Sequence, residues 1–406
     1  MPTALEQTGL MSITQRPELV LARGRGSWVW DERGRRYLDF VQGWAVNCLG
    51  HAPSEVRGAL TEQAGRLLTP SPAFHNRPQL ELARALTECT GLERVFFCST
   101  GAEANEGAIK LARKWGRVHR AGACEIVTTH GAFHGRTLAT MAASGKPGWD
   151  ELFPPRVEGF AKVPFGDAPA ARAAVNERSV AIWVEPIQGE EGVVVPPSGY
   201  LAALRSLCDE RGLLLMLDEI QTGMGRTGSL LACEAEGVRP DILTLGKGLG
   251  GGVPLSAMLA REEVACFEPG EQGGTFNGNP LMTAVGLAVL GTLTAPGFLR
   301  SVEHLGDRLR AGLEGLAIRY GCPFVRGRGL LLALGLPRPA AREIVAGCRE
   351  RGLLINAPAV DLLRFMPSLR VEPGEIDDMC NTLDAALAQE LALARTIPED
   401  PVDRQG

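Results

Sequence analysis

Two apolar runs that each end in a charged residue constrain the fold of this chain more than any other feature. The run Leu213–Leu217 is followed by Asp218, and the run Ile242–Leu245 is followed by Gly246 and Lys247. Short apolar runs bounded by glycine or proline are typical of strands buried in a parallel sheet. The sequence therefore predicts a sheet that carries an aspartate and a lysine at the ends of neighbouring strands.

Strands and helices alternate through the middle of the chain. Further apolar runs at 95–98, 125–129 and 180–184 predict buried strands, and Thr100 opens a helix that runs to about Trp115. Alternation of this kind predicts an α/β fold, in which a mostly parallel central sheet carries helices on both faces.

Residues beyond about 285 follow a different pattern. A long helix to about Arg319 precedes strands near 324–334 and 353–356, and an amphipathic helix follows them. We therefore expect a second, smaller α+β domain, to which an N-terminal hairpin with Gly34 in its turn also belongs. The predicted parts are an N-terminal arm and hairpin at 1–50, a large cofactor-binding domain at 51–285, a C-terminal small domain at 286–395 and a tail at 396–406.

The bulk composition argues against a nucleic-acid-binding or membrane protein. The 406 residues carry a formal net charge of −5, which offers no basic face for nucleic acid. The apolar runs are far shorter than the roughly 18–20 residues that cross a bilayer, and Met1 to Val20 lack the pattern of a signal peptide. Ten cysteines without a Cys-x-x-Cys pair indicate reduced thiols, so we expect a cytoplasmic enzyme.

The lysine and the aspartate together favour one cofactor, pyridoxal phosphate. Lys247 would hold its aldehyde as a Schiff base, Asp218 would pair with its pyridinium nitrogen, and Gln221 would hydrogen-bond its phenolic oxygen. A solvated surface lysine and a nucleotide phosphate loop are the alternatives for Lys247. The phosphate-loop motif is incomplete, because Asp241 stands at its first glycine and Gly248 replaces its serine or threonine. A buried salt bridge is the alternative for Asp218.

A small polar turn, within the segment Ser99–Asn105, precedes the helix that Thr100 opens. The first turn of a helix leaves backbone N–H groups unpaired, and here they belong to Gly101 and Ala102. These groups would bind a phosphate, and an ordinary helix N-terminus is the alternative interpretation.

His130 and His134 stand four residues apart, a spacing that suggests a metal site. Glycines in this segment disfavour a helix and no third ligand stands nearby, so we expect no metal here. Two other residues fit a cofactor site better: Phe133 would stack on the cofactor ring, and Arg136 would bind a carboxylate. A solvated arginine is the alternative for Arg136.

A set of motifs runs the length of the chain. In order they are Leu49-Gly50-His51, Ser99–Asn105 with Lys110–Arg113, Phe133–Thr137, Val184–Glu190, Leu217–Gly228, Gly274–Phe276 with Gly278–Pro280, and Arg364–Pro367. With these motifs the chain resembles the class III, ornithine-type aminotransferases, which have the fold type I pyridoxal-phosphate architecture. The resemblance covers the chain from about Trp28 to about Leu391, and within the class it is strongest to the acetylornithine aminotransferases.

For the cofactor, the resemblance implies the roles already described for Lys247, Asp218 and Phe133. It also implies that Gly101 and Ala102 bind the phosphate group. The cofactor predicted from the strand ends is thus also the one that the family uses.

The resemblance further implies an obligate homodimer with two shared active sites, in which Thr275 contacts the phosphate bound by the other subunit. In each site, Arg136 would bind the distal carboxylate of the substrate. Arg364 would bind the α-carboxylate of glutamate, and Glu190 would cover Arg364 while the other substrate is bound.

The implied reaction moves the terminal amine of N2-acetylornithine, or of a close ω-amino acid, to 2-oxoglutarate and gives a semialdehyde and L-glutamate, as in arginine biosynthesis. Ornithine, succinylornithine and 4-aminobutyrate are alternative donors. An aminomutase on the same fold and a non-catalytic pyridoxal-phosphate-binding protein are more distant alternatives. Four positions depart from the common family pattern and leave the amino donor open: Gly274, Asn277, Glu191 and Trp44, the last of which fills the wall of the substrate pocket.

Overall fold

The computed structural model describes residues 9–393, so the predicted tail at 396–406 and the start of the predicted arm lie outside the described residues. The strands, labelled β1 to β15 in chain order, are Leu21–Arg25, Trp28–Asp31, Arg36–Asp39, Arg94–Cys98, Glu125–Thr129, Phe160–Val163, Ser179–Val184, Leu214–Asp218, Ile242–Leu245, Ser256–Ala260, Val325–Arg328, Leu331–Gly335, Leu353–Leu354, Asn356–Ala359 and Leu362–Phe365. The α-helices are Ser54–Ala64, Arg77–Thr90, Gly101–His119, Leu138–Ala143, Trp149–Leu152, Ala168–Ala174, Tyr200–Arg211, Pro280–Leu293, Phe298–Tyr320, Ala341–Glu350 and Pro373–Leu393.

The central sheet has seven strands in the order β4-β10-β9-β8-β7-β5-β6. All neighbouring pairs are parallel except those of β10, which runs antiparallel to both β4 and β9. The prediction of a mostly parallel α/β sheet is therefore confirmed. β6 and β10 were not predicted from the sequence, because their short runs of small or mixed residues become strands only through pairing with their neighbours.

The middle strands of this sheet are buried on both faces. Every residue of β7, β8 and β9 is buried, which is the expected environment of an uninterrupted apolar strand between two helix layers. The helix Gly101–His119 lies on one of these faces, and its Gly116 allows a close approach. A Cβ atom at Gly116 would stand 2.0 Å from the carbonyl oxygen of Ala123, so a larger residue would push the helix away from the sheet.

A capping box fixes where that helix begins. The Thr100 hydroxyl accepts a hydrogen bond from the Glu103 N–H at 3.3 Å, and the Glu103 carboxylate accepts one from the Thr100 N–H at 2.9 Å. The helix therefore starts directly after β4, and its unpaired first-turn N–H groups lie at the edge of the sheet where the strands end. The helix continues to His119, beyond the predicted end at about Trp115.

Two smaller sheets flank the central one, with the orders β1-β2-β3-β13 and β11-β12-β15-β14. The predicted hairpin is confirmed as the antiparallel pair β2 and β3, with Gly34 in its turn at a φ of 81°. β3 also pairs in parallel with β13, so the N-terminal hairpin shares a sheet with a C-terminal strand. The predicted limits of the domains themselves stay a prediction.

The predicted long helix ending near Arg319 is present as Phe298–Tyr320, but its expected start soon after residue 285 was wrong. A separate helix, Pro280–Leu293, precedes it, and the two helices meet between Leu293 and Phe298 at 73°. Pro296 lacks a backbone N–H, and Gly297 has a φ of 84°, so the chain turns between them. Within residues 9–393 no single helix is long and apolar enough to cross a membrane, and this bent pair meets those criteria only when the two helices are taken together.

Candidate active site

Charged residues follow three neighbouring strands of the central sheet. β8 ends at Asp218, which pairs in register with Thr244 of the parallel strand β9. β9 is followed by Gly246 and by the short 3-10 turn that Lys247 begins, and β7 is followed directly by Glu185. Since these strands are parallel, their carboxyl ends bring the three charged groups to one edge of the sheet, where α/β proteins bind their ligands.

A cavity of about 310 Å³ lies at this edge. It is lined by Gly101, Ala102, Asn105, Phe133, His134, Gly135, Arg136, Glu185, Glu190, Asp218, Ile220, Gln221 and Lys247. Most of the residues predicted from the sequence are in this lining: Gly101, Ala102, Phe133, Arg136, Glu190, Asp218, Gln221 and Lys247. The structure thus brings together residues that are far apart in the sequence.

Asp218 is buried, with 4% of its surface exposed, and both carboxylate oxygens accept hydrogen bonds. Oδ2 accepts from Asn105 Nδ2 and from His134 Nδ1, each at 2.8 Å, and Oδ1 accepts from the Ile220 N–H at 3.1 Å. Three donors from three separate parts of the chain hold this carboxylate in one orientation. Asn105 is itself fixed, since its Oδ1 accepts from the Thr244 hydroxyl at 2.7 Å.

The role of His134 next to Asp218 was not predicted. A carboxylate only accepts hydrogen bonds, so the proton of the His134 ring must be on Nδ1. The ring stacks on Trp183 at 3.8 Å with an interplanar angle of 14°, and this contact holds it in place.

His130, the second histidine of the metal-site hypothesis, is exposed. Among residues 9–393 no group of three or more potential metal ligands is found.

Lys247 is held in a backbone conformation that is unusual for a lysine. Its φ is 42°, in the left-handed region, where a side chain other than glycine costs about 1 kcal/mol or more. Burial lowers the pKa of Lys247 below its usual value, Arg364 lowers it further, and the carboxylates of Glu190 and Asp218 oppose both effects. A lowered pKa increases the fraction of neutral amine, which is the nucleophilic form.

Glu185 is a second buried carboxyl group in the cavity and was not among the predicted site residues. It accepts a hydrogen bond from the Phe133 N–H at 3.0 Å. Burial, and then the nearby charge of Asp218, raise the pKa of Glu185 well above its usual range. The only signal in the sequence is its position directly after β7, which corresponds to the position of Asp218 after β8.

Glu190 and Arg364 form an ion pair at the side of the cavity. Glu190 Oε1 accepts from Arg364 Nη1 at 2.7 Å, and Gln221 Nε2 also donates to it at 3.3 Å. Burial raises the pKa of Glu190, but Arg364 and Lys247 outweigh this effect and lower it to about 2. Arg364 is fully buried, and its Nε donates to Asn356 Oδ1 at 2.8 Å. The guanidinium is therefore oriented on one side and covered by a carboxylate on the other.

Three of the predicted residues do not line the cavity: Arg364, Trp44 and Thr275. Arg364 is shielded by Glu190. Trp44 is 49% exposed in a left-handed turn, Gln42–Ala45, whose residues all have φ between 48° and 65°. Thr275 is exposed and precedes Phe276, which is 61% exposed. Arg136 lines the cavity and lies over the Trp149 ring at 5.6 Å.

The chemical groups of the cavity fit pyridoxal phosphate. They comprise an amine at Lys247, a carboxylate at Asp218 and the unpaired N–H groups of a helix N-terminus. Gln221 Oε1 is buried and has no hydrogen-bond partner among the described residues, so it is available to a bound group. A Cβ atom at Gly189 would stand 1.5 Å from that oxygen, so only glycine leaves the amide in this position.

Comparison with known proteins agrees with this chemistry. A sequence model of the family Aminotransferase class-III matches residues 11–387. A protein named acetylornithine aminotransferase 2, from Bordetella bronchiseptica, is 55% identical over 93% of this chain and 96% of its own length. A protein named acetylornithine aminotransferase, from Ralstonia nicotianae, is 52% identical over 93% of this chain and 96% of its own length.

Solved structures give the same result. The ornithine aminotransferase from Toxoplasma gondii is 34% identical, with a TM-score of 0.92 over 97% of this chain and 95% of its own. The N-acetylornithine aminotransferase from Stenotrophomonas maltophilia is 39% identical, with a TM-score of 0.82 over 93% of this chain and 98% of its own. The predicted family, fold and cofactor are confirmed. The chain belongs to the class-III aminotransferases and is a pyridoxal-phosphate-dependent transaminase.

Proposed function

We propose that this transaminase moves the terminal amine of N2-acetylornithine to 2-oxoglutarate, which gives a semialdehyde and L-glutamate. The observation that carries the proposal is the ion pair of Glu190 and Arg364 at 2.7 Å, on the cavity that holds Lys247. The names of the relatives at 52% and 55% identity support the choice of the acetylated donor.

The ion pair answers a problem that two different substrates create in one site. Glutamate presents an amine next to a carboxylate, whereas N2-acetylornithine presents an amine at the far end of its chain. An uncovered Arg364 would favour a carboxylate beside the reacting amine for both substrates. Glu190 neutralises Arg364 while N2-acetylornithine is bound and is displaced when the α-carboxylate of glutamate takes its place.

Each remaining side chain has a task that follows from its chemistry. When bound, pyridoxal phosphate carries the amine from one substrate to the other and withdraws electrons from the substrate carbon. Lys247 would hold the cofactor and move a proton at that carbon, and Asp218 would keep the ring nitrogen protonated. Gly101 and Ala102 would donate N–H groups to the phosphate. These roles are proposals that rest on the arrangement of the groups around one cavity.

The walls of the cavity would orient the cofactor and substrate. Phe133 would stack on the cofactor ring, and Gln221 would hydrogen-bond the phenolic oxygen. Arg136 would bind the carboxylate that lies farthest from the reacting amine, which is the α-carboxylate of N2-acetylornithine and the γ-carboxylate of glutamate. Trp44, which lies outside this lining, would form part of the wall of the wider substrate pocket.

A screen of single-amine half-reactions tests the choice of donor. N2-acetylornithine, ornithine, N2-succinylornithine and 4-aminobutyrate are each added alone to the cofactor-loaded protein, and the loss of visible absorbance is timed. We expect N2-acetylornithine to react with the highest second-order rate constant among the four donors. A faster reaction of any other donor would replace N2-acetylornithine in the proposal.

Replacing Glu190 with alanine is expected to shift the preference toward α-amino donors. The ratio of half-reaction rate constants, glutamate over N2-acetylornithine, should rise about tenfold to a hundredfold, since Arg364 is left uncovered. The isosteric change Glu190→Gln keeps the shape and removes the charge, so it should raise the ratio less. An unchanged ratio in both variants would discard the gating role of Glu190.

We also propose that the protein acts in the cytoplasm as a homodimer in which Thr275 completes the site of the partner subunit. Exposed apolar side chains support such an interface: Leu67, Leu68, Phe74, Leu80 and Phe276 are 46–69% exposed. The two segments that carry them are adjacent, because Asn76 Nδ2 donates to the carbonyl of Gly278 at 2.9 Å. A patch of this kind on a protein surface is typical of an interface.

Thr275→Val tests the shared site, because valine has the shape of threonine without its hydroxyl. The affinity for pyridoxal phosphate should fall about tenfold to a hundredfold, which is the loss of one hydrogen bond to a charged group. The mass measured by sedimentation should remain that of a dimer. Thr294→Val is the matched control, since its hydroxyl donates only to the carbonyl of Leu290. A monomeric wild-type protein, or an unchanged affinity, would contradict the shared site.

A further inference from the structure

Four consecutive carbonyl groups next to the ion pair accept hydrogen bonds from cationic side chains. We call residues 189–192, which include Glu190, the gate segment. The contacts are Arg364 Nη1 to Gly189 at 2.7 Å, Lys146 Nζ to Glu190 at 2.9 Å, Arg326 Nη2 to Glu191 at 3.4 Å and Arg326 Nε to Gly192 at 2.8 Å. Cations from three separate parts of the chain therefore hold the backbone of the gate segment.

Lys146 makes a second contact with the gate segment. Its Nζ pairs with the Glu191 carboxylate at 2.8 Å, in addition to the Glu190 carbonyl. The Lys146 side chain is 20% exposed and that of Glu191 is 45% exposed, so this ion pair is partly exposed to solvent. The second contact of Lys146 is with the backbone of Glu190, whose side chain pairs with the buried Arg364. Glu191 is also one of the four positions that depart from the family pattern, which makes the contact a feature of this chain.

The backbone next to Lys146 packs closely against the central sheet and is fixed by hydrogen bonds. A Cβ atom at Gly145 would stand 2.3 Å from the carbonyl oxygen of Thr129 in β5, so the chain can approach the sheet this closely only with glycine there. The Gly131 N–H donates to the carbonyl of Gly145 at 3.1 Å, and the Gly145 N–H donates to the carbonyl of Ala132 at 2.9 Å. The Lys146 side chain therefore extends from a backbone that is held in one position.

The gate segment belongs to a strained loop, residues 189–193, whose two ends are joined by backbone hydrogen bonds. Gln188 and Val194 exchange both backbone hydrogen bonds at 3.0 Å, and between them Val193 has a φ of 61°. A β-branched residue in the left-handed region is held there only by its surroundings. The cationic contacts are therefore part of what keeps the loop in the conformation that directs Glu190 onto Arg364.

We propose that Lys146 is a positioning residue that latches the gate segment and so sets how readily a substrate carboxylate displaces Glu190 from Arg364. The inference rests on the proposed function, because it concerns the same gate. The bonds from Lys146 to the gate backbone and to Glu191 preorganise the ion pair, and a carboxylate that needs Arg364 must overcome them. A ligand that needs only Arg136 does not.

Two unreactive ligands distinguish binding that displaces Glu190 from Arg364 from binding that uses Arg136 alone. Glutarate carries two carboxylates and no amine, so it occupies both Arg136 and Arg364 and must open the gate. N-acetylnorvaline is N2-acetylornithine without its terminal amine, so its single carboxylate goes to Arg136 and leaves the gate closed. Their dissociation constants are measured by calorimetry on the cofactor-loaded protein, which involves no turnover.

We expect Lys146→Met to bind glutarate about threefold to tenfold more tightly than the wild type, because part of the free energy of one ion pair and one charged hydrogen bond opposes the displacement of Glu190. The affinity for N-acetylnorvaline should change by less than about twofold. Removing a positive charge would by itself weaken the binding of a dianion, so tighter binding cannot be a long-range charge effect. Glu191→Gln should change the glutarate affinity in the same direction by about twofold to threefold.

Lys146→Arg and Lys162→Met are the controls. The arginine keeps a cationic donor and should retain the wild-type ratio of the two affinities. Lys162 pairs with Asp150 at 3.1 Å and does not contact the gate segment, so its loss should change neither affinity. If Lys146→Met leaves the ratio unchanged, or shifts both ligands equally, the latch is refuted while the proposed function stands. If the wild type binds neither ligand, the proposed function fails and the latch fails with it.

Discussion

Replacing Lys247 with alanine is expected to abolish transamination, with a loss of at least about a thousandfold in kcat. The side chain would supply both the amine that holds the cofactor and the base that moves a proton, and no other residue among 9–393 that lines the cavity carries an amine. Turnover is followed as glutamate formation from 2-oxoglutarate. The visible absorbance of the bound cofactor should shift at the same time, because the bond to the lysine is missing.

Lys162→Ala is the control for this variant. Its amine pairs with Asp150 and does not line the cavity, so the loss should leave kcat unchanged. Circular dichroism and sedimentation should give the same fold and mass for both variants. Normal turnover in Lys247→Ala would refute the assignment of this lysine.

Replacing Asp218 with asparagine is expected to have the second largest effect, a loss of about a hundredfold to ten-thousandfold in kcat. The amide carries no charge and cannot keep a ring nitrogen protonated. It also has one oxygen where the carboxylate has two, and both carboxylate oxygens accept hydrogen bonds here. The NH2 group would face either Ile220 N–H or the donors of Asn105 and His134, which should lower the free energy of unfolding by about 1–3 kcal/mol.

Asp241→Asn separates the two effects of this change. Asp241 is also buried, with 4% exposed surface, and its carboxylate accepts from Arg205 and Arg261 and from the Leu215 N–H. It lies at the other end of the strands, before β9, so its loss should lower the midpoint of urea unfolding without a comparable loss of kcat. Equal losses of kcat in both variants would mean that Asp218 acts only on stability.

The sequence was sufficient to predict the features that depend on local pattern. The buried runs before Asp218 and Lys247 identified β8 and β9, and the small polar turn at Thr100 identified the start of the helix. Their convergence follows from one rule, that the carboxyl ends of parallel strands meet at one edge. The cofactor and most of the cavity lining could therefore be predicted before the structure was known.

What the sequence could not supply depends on contacts between distant segments. His134 was considered as a metal ligand because of its spacing from His130. Its bond to Asp218 and its stacking on Trp183 could not be predicted, because three different segments of the chain set them. Glu185 was overlooked because its environment, next to another carboxylate, exists only in the fold. The break between Leu293 and Phe298 was also missed, since the apolar pattern continues across it and only Pro296 and Gly297 interrupt it.

Reductive trapping identifies the side chain that binds pyridoxal phosphate. The protein is incubated with pyridoxal phosphate, reduced with borohydride and digested, and the modified lysine is located by peptide mass spectrometry. We expect a stoichiometric cofactor adduct on Lys247 and none after Lys247→Ala. An adduct on another lysine, with Lys247 unmodified, would contradict this assignment.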